Sequence, residues 1–130
     1  MTETNPMARL RDAINSHDPQ RIAGCFTEDY RCELPMHPSQ DFQGNSHVRD
    51  NWTKILARTP DIKAGVLRFH VGDLTWSEWE MRGTNTDGTA ALVRGCVIAT
   101  FRGDLINWTR FYLDPVTDGA FSPDQVTGGA

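Results

Sequence analysis

A chain of 130 residues with 38% hydrophobic content has the size and apolar fraction of one globular domain. Its 17 acidic and 13 basic residues leave a net charge of -4, and no Lys/Arg cluster or Arg-aromatic interleaving tracks a phosphate backbone, which argues against nucleic acid as a partner. No apolar run nears the roughly 20 residues of a membrane span, and "MTETNPMARLRD" lacks an apolar signal core, so the expectation is a cytoplasmic protein with no membrane partner.

The chain opens with helical spacing. In "NPMARLRDAINSHD" the apolar residues Met7, Leu10, Ala13 and Ile14 recur on one face, and "DPQRIAGCF" follows with Asp18 as N-cap and Pro19 at the first helical position. "DYRCELP" then reads as a short strand ending at Pro35, since proline cannot continue a central ladder. A loop containing His37 and Asp41 leads to "SHVRDNWTKILART", where Val48, Trp52, Ile55 and Leu56 form an apolar helix face that Asn45 or Ser46 would cap and Pro60 would stop.

Beyond Pro60 the pattern changes to strands: "IKAGVLRFHVG", "LTWSEWEMRGT", "AALVRGCVIATFR" and "DLINWTRFYLD", each rich in β-branched and aromatic residues. The Asp-Gly of "TNTDGT" and the Gly-Asp of "FRGDL" are hairpin signals, so neighbouring strands should pair antiparallel. Residues 1–115 are expected to form one domain, and 116–130, rich in Gly, Pro, Thr and Asp, a mobile tail unless Phe121 docks. Cys25, Cys32 and Cys96 are odd in number and widely spaced, which fits reduced core thiols better than a disulfide framework or a zinc site. Helices early and a meander late predict an α+β fold, with three N-terminal helices packed on one face of a curved antiparallel sheet around a cone-shaped cavity.

This order of elements, with "SHDPQRIAGCFTEDY", "FQGNSHVRDNW", "WEMRGT" and "FRGDLINWTRFYLDP", resembles the NTF2-like superfamily, and within it the SnoaL-like (polyketide cyclase-like) branch, over residues 6–115. The superfamily holds ketosteroid isomerases, limonene epoxide hydrolases, scytalone dehydratases, polyketide cyclases and noncatalytic binding or transport proteins, so the resemblance implies a fold and leaves the chemistry open. Where the isomerases carry a tyrosine, an aspartate and a proton-donating acid, this chain has Leu10, Leu34 and Val97; where the epoxide hydrolases carry their Arg-Asp pair and final-strand aspartate, it has Trp79, Met81 and Phe111. Neither chemistry is expected here, because no carboxylate stands at those places to move a proton.

The same comparison implies an apolar cavity wall. Strand alternation adds Ser77, Gly95 and Thr109 to the cavity side and turns Trp76, Glu78, Glu80, Arg82, Arg94, Trp108, Arg110 and Tyr112 to the opposite face, through which superfamily members commonly dimerise. A homodimer is therefore expected. The expected ligand contacts are Tyr30, Leu34, Asn51, Trp52, Trp79, Met81, Val97, Thr109 and Phe111, with ordinary core packing as the competing explanation for Tyr30 and Trp52 and a solvated helix position for Asn51.

Few groups remain for catalysis. Glu33 alternates away from Leu34 and reads as ion-paired, and Asp41 as structural, favoured near a helix start by the dipole. His37 is the acid/base candidate, because imidazole titrates near neutral pH and the loop leads to the cavity mouth; a surface role competes. Asp114 resembles the family's final-strand carboxylate, with a turn before Pro115 as an equal alternative. No His/Cys/Asp/Glu spacing suggests a metal, no glycine-rich loop suggests a phosphate cofactor, and no cofactor is expected. Two functions remain: a cofactor-independent enzyme (cyclase, isomerase, dehydratase or hydrolase) acting on a small hydrophobic molecule, or a noncatalytic protein that binds one.

Overall fold

The computed structural model describes residues 5–117. Phe121 and the rest of the expected tail beyond residue 117 lie outside the described residues. Helix α1 spans Pro6–Asn15 and α2 Pro19–Ala23. Each begins with a proline whose missing N–H costs the helix nothing at that position, and each is capped by the preceding side chain: Asn5 accepts from the Met7 amide, and Asp18, as expected, from that of Gln20. The third helix, α3 (Asn45–Arg58), differs from expectation at its start. Neither Asn45 nor Ser46 caps it; Gly44 occupies the N-cap with φ 98°, a conformation glycine adopts freely, and its amide is bonded to the Tyr30 carbonyl at 2.6 Å. Of the three helices expected, α2 is a single short turn of five residues.

Six strands form one curved sheet: β1 (Phe26–Glu33), β2 (Phe42–Gln43), β3 (Lys63–His70), β4 (Thr75–Thr84), β5 (Ala90–Arg102) and β6 (Leu105–Pro115), in the order β2-β1-β6-β5-β4-β3. The expected antiparallel meander holds from β3 to β6, with Gly88 and Gly103 at positive φ in its last two turns. The sheet as a whole is mixed, however, because β1 lies parallel to β6, with Cys32 opposite Thr109 and Glu33 opposite Arg110. Turn chemistry dictates the direction of strands joined by hairpins; β1 and β6 meet across about 80 residues, where no turn signal reaches. Register shifts mark bulges in β1, in β3 at Leu67 and in β6 at Asn107, which bend strands and sharpen the local twist.

The first strand also starts earlier and stops sooner than its sequence suggests. It begins at Phe26 and ends at Glu33, short of Pro35, because the Leu34 amide turns to the Asp41 carboxylate at 2.7 Å. Asp41 is thus a loop clasp instead of a helix-dipole group. Together with His37 N–H donating to Leu34 O (2.9 Å) and Gln40 N–H to His37 O (2.8 Å), it makes residues 34–41 a tied loop.

Alternation divides the sheet as expected. Ser77, Trp79, Val97 and Thr109 are buried with Met7, Leu10, Ile14, Ile22 and Ile106, while Trp76 and Tyr112 are exposed on the outer face. Charges there pair across strands: Arg94 with Glu80 (2.8 Å), Arg110 with Glu33 (3.3 Å) and Arg68 with Glu78 (2.9 Å). Cys25 and Cys32 are buried free thiols; Cys96 is only half-buried.

Gly95 marks where β5 and β6 pass closest. Its φ is 155°, and a Cβ placed on it would lie 1.9 Å from the Tyr112 carbonyl oxygen. Gly95→Ala should therefore cost about 3 kcal/mol or more in urea unfolding, because the clashing atom is backbone that moves only with the strand. Gly88→Ala, with φ 89° but nothing within 4 Å of the new atom, should cost only about 1–2 kcal/mol. Equal costs at the two sites would refute the close-approach explanation.

Candidate functional site

Between α3 and the sheet lies a cavity of about 290 Å³, close to the lower end of the roughly 300–1,000 Å³ of small-molecule sites. The α3 contribution follows from helical spacing: Asn51, Trp52, Ile55, Arg58 and the C-capping Thr59 fall on one side. β1 and its exit supply Phe26, Tyr30, Cys32 and Leu34, with Phe42 from β2. The far strands close it with Met81 and Arg82, Ala91 and Val93, and Phe111 and Leu113.

Tyr30 joins the cavity to the core. Its ring leans on Phe26 at 4.4 Å and meets Phe42 edge-on at 5.9 Å, and its hydroxyl is hydrogen-bonded to that of Thr109. Burial holds the phenol pKa well above its ordinary 10.0; neighbouring Cys32 pushes the same way, and the Thr109 bond offsets only part of this. Tyr30 therefore stays a neutral hydrogen-bonding group at physiological pH. Burial likewise raises the Cys32 thiol above 9.0, leaving it protonated and weakly nucleophilic.

Of the expected contacts, Tyr30, Leu34, Asn51, Trp52, Met81 and Phe111 line the cavity. Trp79, Val97 and Thr109 do not: they are at most 2% exposed and lie in the core behind it, Trp79 Nε1 donating to Ser77 Oγ at 2.8 Å. Alternation chose their side of the sheet correctly, but it does not report depth. His37 and Asp114 are brought together, Nε2 to Oδ1 at 3.2 Å, at 47% and 49% side-chain exposure. Neither is among the lining residues; Leu113 faces the cavity, so Asp114 turns to the outer side.

Two charged lining residues, Arg58 and Arg82, were not anticipated from sequence. Arg58 stands three residues after Ile55 and seven after Asn51, so helical periodicity alone could have found it. Alternation sent Arg82 to the outer face, yet it borders the opening, next to Gly83, where a Cβ would come within 2.6 Å of Thr59 Cγ2. The end of α3 thus packs directly on the end of β4. Among the described residues, no three His, Cys, Asp or Glu side chains converge as metal ligands would.

Residues 7–108 match the family model described as a SnoaL-like domain. No curated protein sequence matches the chain at a significant level. Among solved structures, the chain is similar to a hypothetical protein with a ketosteroid isomerase-like fold from Catenulispora acidiphila, determined in complex with trimethylamine: 14% identity over 85% of this chain and 87% of that one, TM-score 0.71. It is also similar to an NTF2-like protein of unknown function from Exiguobacterium, at 18% identity over 85% and 98% of the two chains and TM-score 0.69. A loop-truncation variant of IdmH gives 23% identity, coverage of 85% and 91%, and TM-score 0.71. At such identities the likeness is one of fold.

The raised Tyr30 pKa makes stability pH-dependent in a definite direction. Between the ordinary phenol value of 10.0 and the higher folded one, the unfolded chain has lost a proton that the folded chain keeps, so stability declines as pH rises through this window and is fully present below it. Tyr30→Phe should decline less than the wild type between about pH 10 and 11 in chemical unfolding, while costing about 1–3 kcal/mol at neutral pH for the orphaned Thr109 hydroxyl. Parallel pH profiles would contradict this assignment.

Proposed function

We propose that this chain, which belongs to the SnoaL-like domain family, takes a small hydrophobic molecule into the cavity beneath α3 and acts primarily as its binding protein. The observation that carries this reading is the make-up of the wall. Among the described lining residues there is no carboxylate and no imidazole, and the aromatic and aliphatic side chains of Tyr30, Trp52, Ile55, Met81 and Phe111 dominate. Such a surface rewards apolar contact and offers no general base. Leu34, Asn51 and Phe111 complete the proposed contacts, with Trp79, Val97 and Thr109 shaping the site from behind. Residues 1–115 serve as one domain in this reading.

A second reading is favoured by one contact, the His37–Asp114 pair beside a loop whose first residue, Leu34, lines the cavity. A carboxylate-oriented imidazole is an acid/base unit, and a cofactor-independent cyclisation, isomerisation, dehydration or hydrolysis would employ it at the rim. The leucines, valine, tryptophan, methionine and phenylalanine at the positions compared above argue against ketosteroid isomerase and limonene epoxide hydrolase chemistry in either case.

The outer sheet face, with exposed Trp76 and Tyr112 among cross-strand ion pairs, supports a homodimer through that face. Sedimentation should then give twice the 14.6 kDa chain mass, and Trp76→Glu with Tyr112→Glu should shift it to monomer. A wild-type monomer at every concentration removes the dimer.

Binding is tested with the fluorescent neutral probe N-phenylnaphthylamine. The wild type should bind it, Ile55→Trp should block it by filling the cavity, and His37→Ala should leave its affinity within about twofold. For a substrate found by turnover, a loss on the order of a hundredfold in kcat for both His37→Ala and His37→Gln, with folding intact, would establish the enzymatic reading instead.

A further inference from the structure

Resting on the binding reading just given, we infer that the occupant is a lipophilic organic anion, whose charged group is held by Arg58 at the opening while its apolar body runs along α3. Three observations converge on this. Arg58 sits on the cavity side of α3, in register with Asn51 and Ile55. Among the described residues its guanidinium has neither a hydrogen bond nor an ion-pair partner, whereas most arginines of the chain are paired with a carboxylate. Arg82, the other cation at the opening, already donates Nη2 to Glu80 Oε1 at 2.6 Å, and Glu80 is shared with Arg94.

The charge balance sharpens the argument. A chain with net charge -4 presents, around this cavity, two guanidinium groups and no lining carboxylate among the described residues. The local sign opposes the global one. A guanidinium is weakly hydrated and offers several fixed donors, so it binds carboxylate, sulfonate or phosphate in pairs of hydrogen bonds without requiring deep burial. The seven residues from Arg58 back to Asn51 span about 10 Å of helix, which sets the length of body that could lie along Trp52 and Ile55 before reaching the Asn51 amide.

Two probes with the same aromatic body separate the charge from the cavity: anilinonaphthalene sulfonate, and N-phenylnaphthylamine, which lacks the sulfonate. Arg58→Gln should weaken the anionic probe about tenfold and the neutral probe less than twofold, with Arg58→Lys between. Arg82→Gln should cost less than Arg58→Gln, because its guanidinium is already engaged. Arg49→Gln, which removes the same charge from α3 away from the lining, should change neither affinity. The difference between the probes should shrink as salt rises. If Arg58→Gln weakens both probes equally, or neither, the anion is refuted while the apolar cavity stands. If the neutral probe does not bind, or Ile55→Trp fails to block it, the cavity reading falls and this inference with it.

Discussion

The contact between the Tyr30 and Thr109 hydroxyls is the point on which the architecture turns. It joins β1 to β6 where the sheet changes from antiparallel to parallel, and it satisfies two polar groups that are almost wholly removed from water. An unpaired hydroxyl in that position would cost on the order of 1–3 kcal/mol, so each residue makes the other tolerable. With the hydroxyl occupied, the Tyr30 ring is oriented edge-on to Phe42 and against Phe26, and its apolar surface becomes cavity wall. A polar bond in the core thereby fixes the shape of an apolar space beside it.

Much of the fold was legible because its signals are local. Asp18 and Pro19 announce α2, Asp87-Gly88 and Gly103-Asp104 announce the last two hairpins, and alternation along β4 separates Trp76 from Ser77 and Trp79. What escaped was nonlocal or carried by backbone. The direction of β1 against β6 depends on a partner no turn specifies, and the cap of α3 is made by Gly44 through its own conformation, with no side chain to advertise it.

The site divides along similar lines. Tyr30, Leu34, Asn51, Trp52, Met81 and Phe111 were identifiable, since periodicity and the family resemblance together place them on inward faces. Periodicity cannot distinguish a lining residue from one a layer deeper, which is why Trp79, Val97 and Thr109 were grouped with them. His37 and Asp114 were each singled out for titratable chemistry, yet their mutual contact depends on how a tied loop folds back over the end of β6. Arg58 was not singled out: its helical spacing from Asn51 and Ile55 points inward, but a basic residue in the last turn is equally accounted for by the helix dipole.

The parallel pairing also orders events in time. Tyr30 and Thr109 stand 79 residues apart, so the strand that completes the cavity's floor leaves the ribosome well after β1 and must find it. The β3–β6 meander closes through short turns, whereas docking β1 onto it requires a large loop to close before any contact repays the entropy. Folding should be limited by that late, long-range step, and a nascent chain lacking β6 would present Tyr30, Phe26 and Cys32 as an open apolar ledge for chaperones. Ligand competence and completion of the sheet thus arrive together.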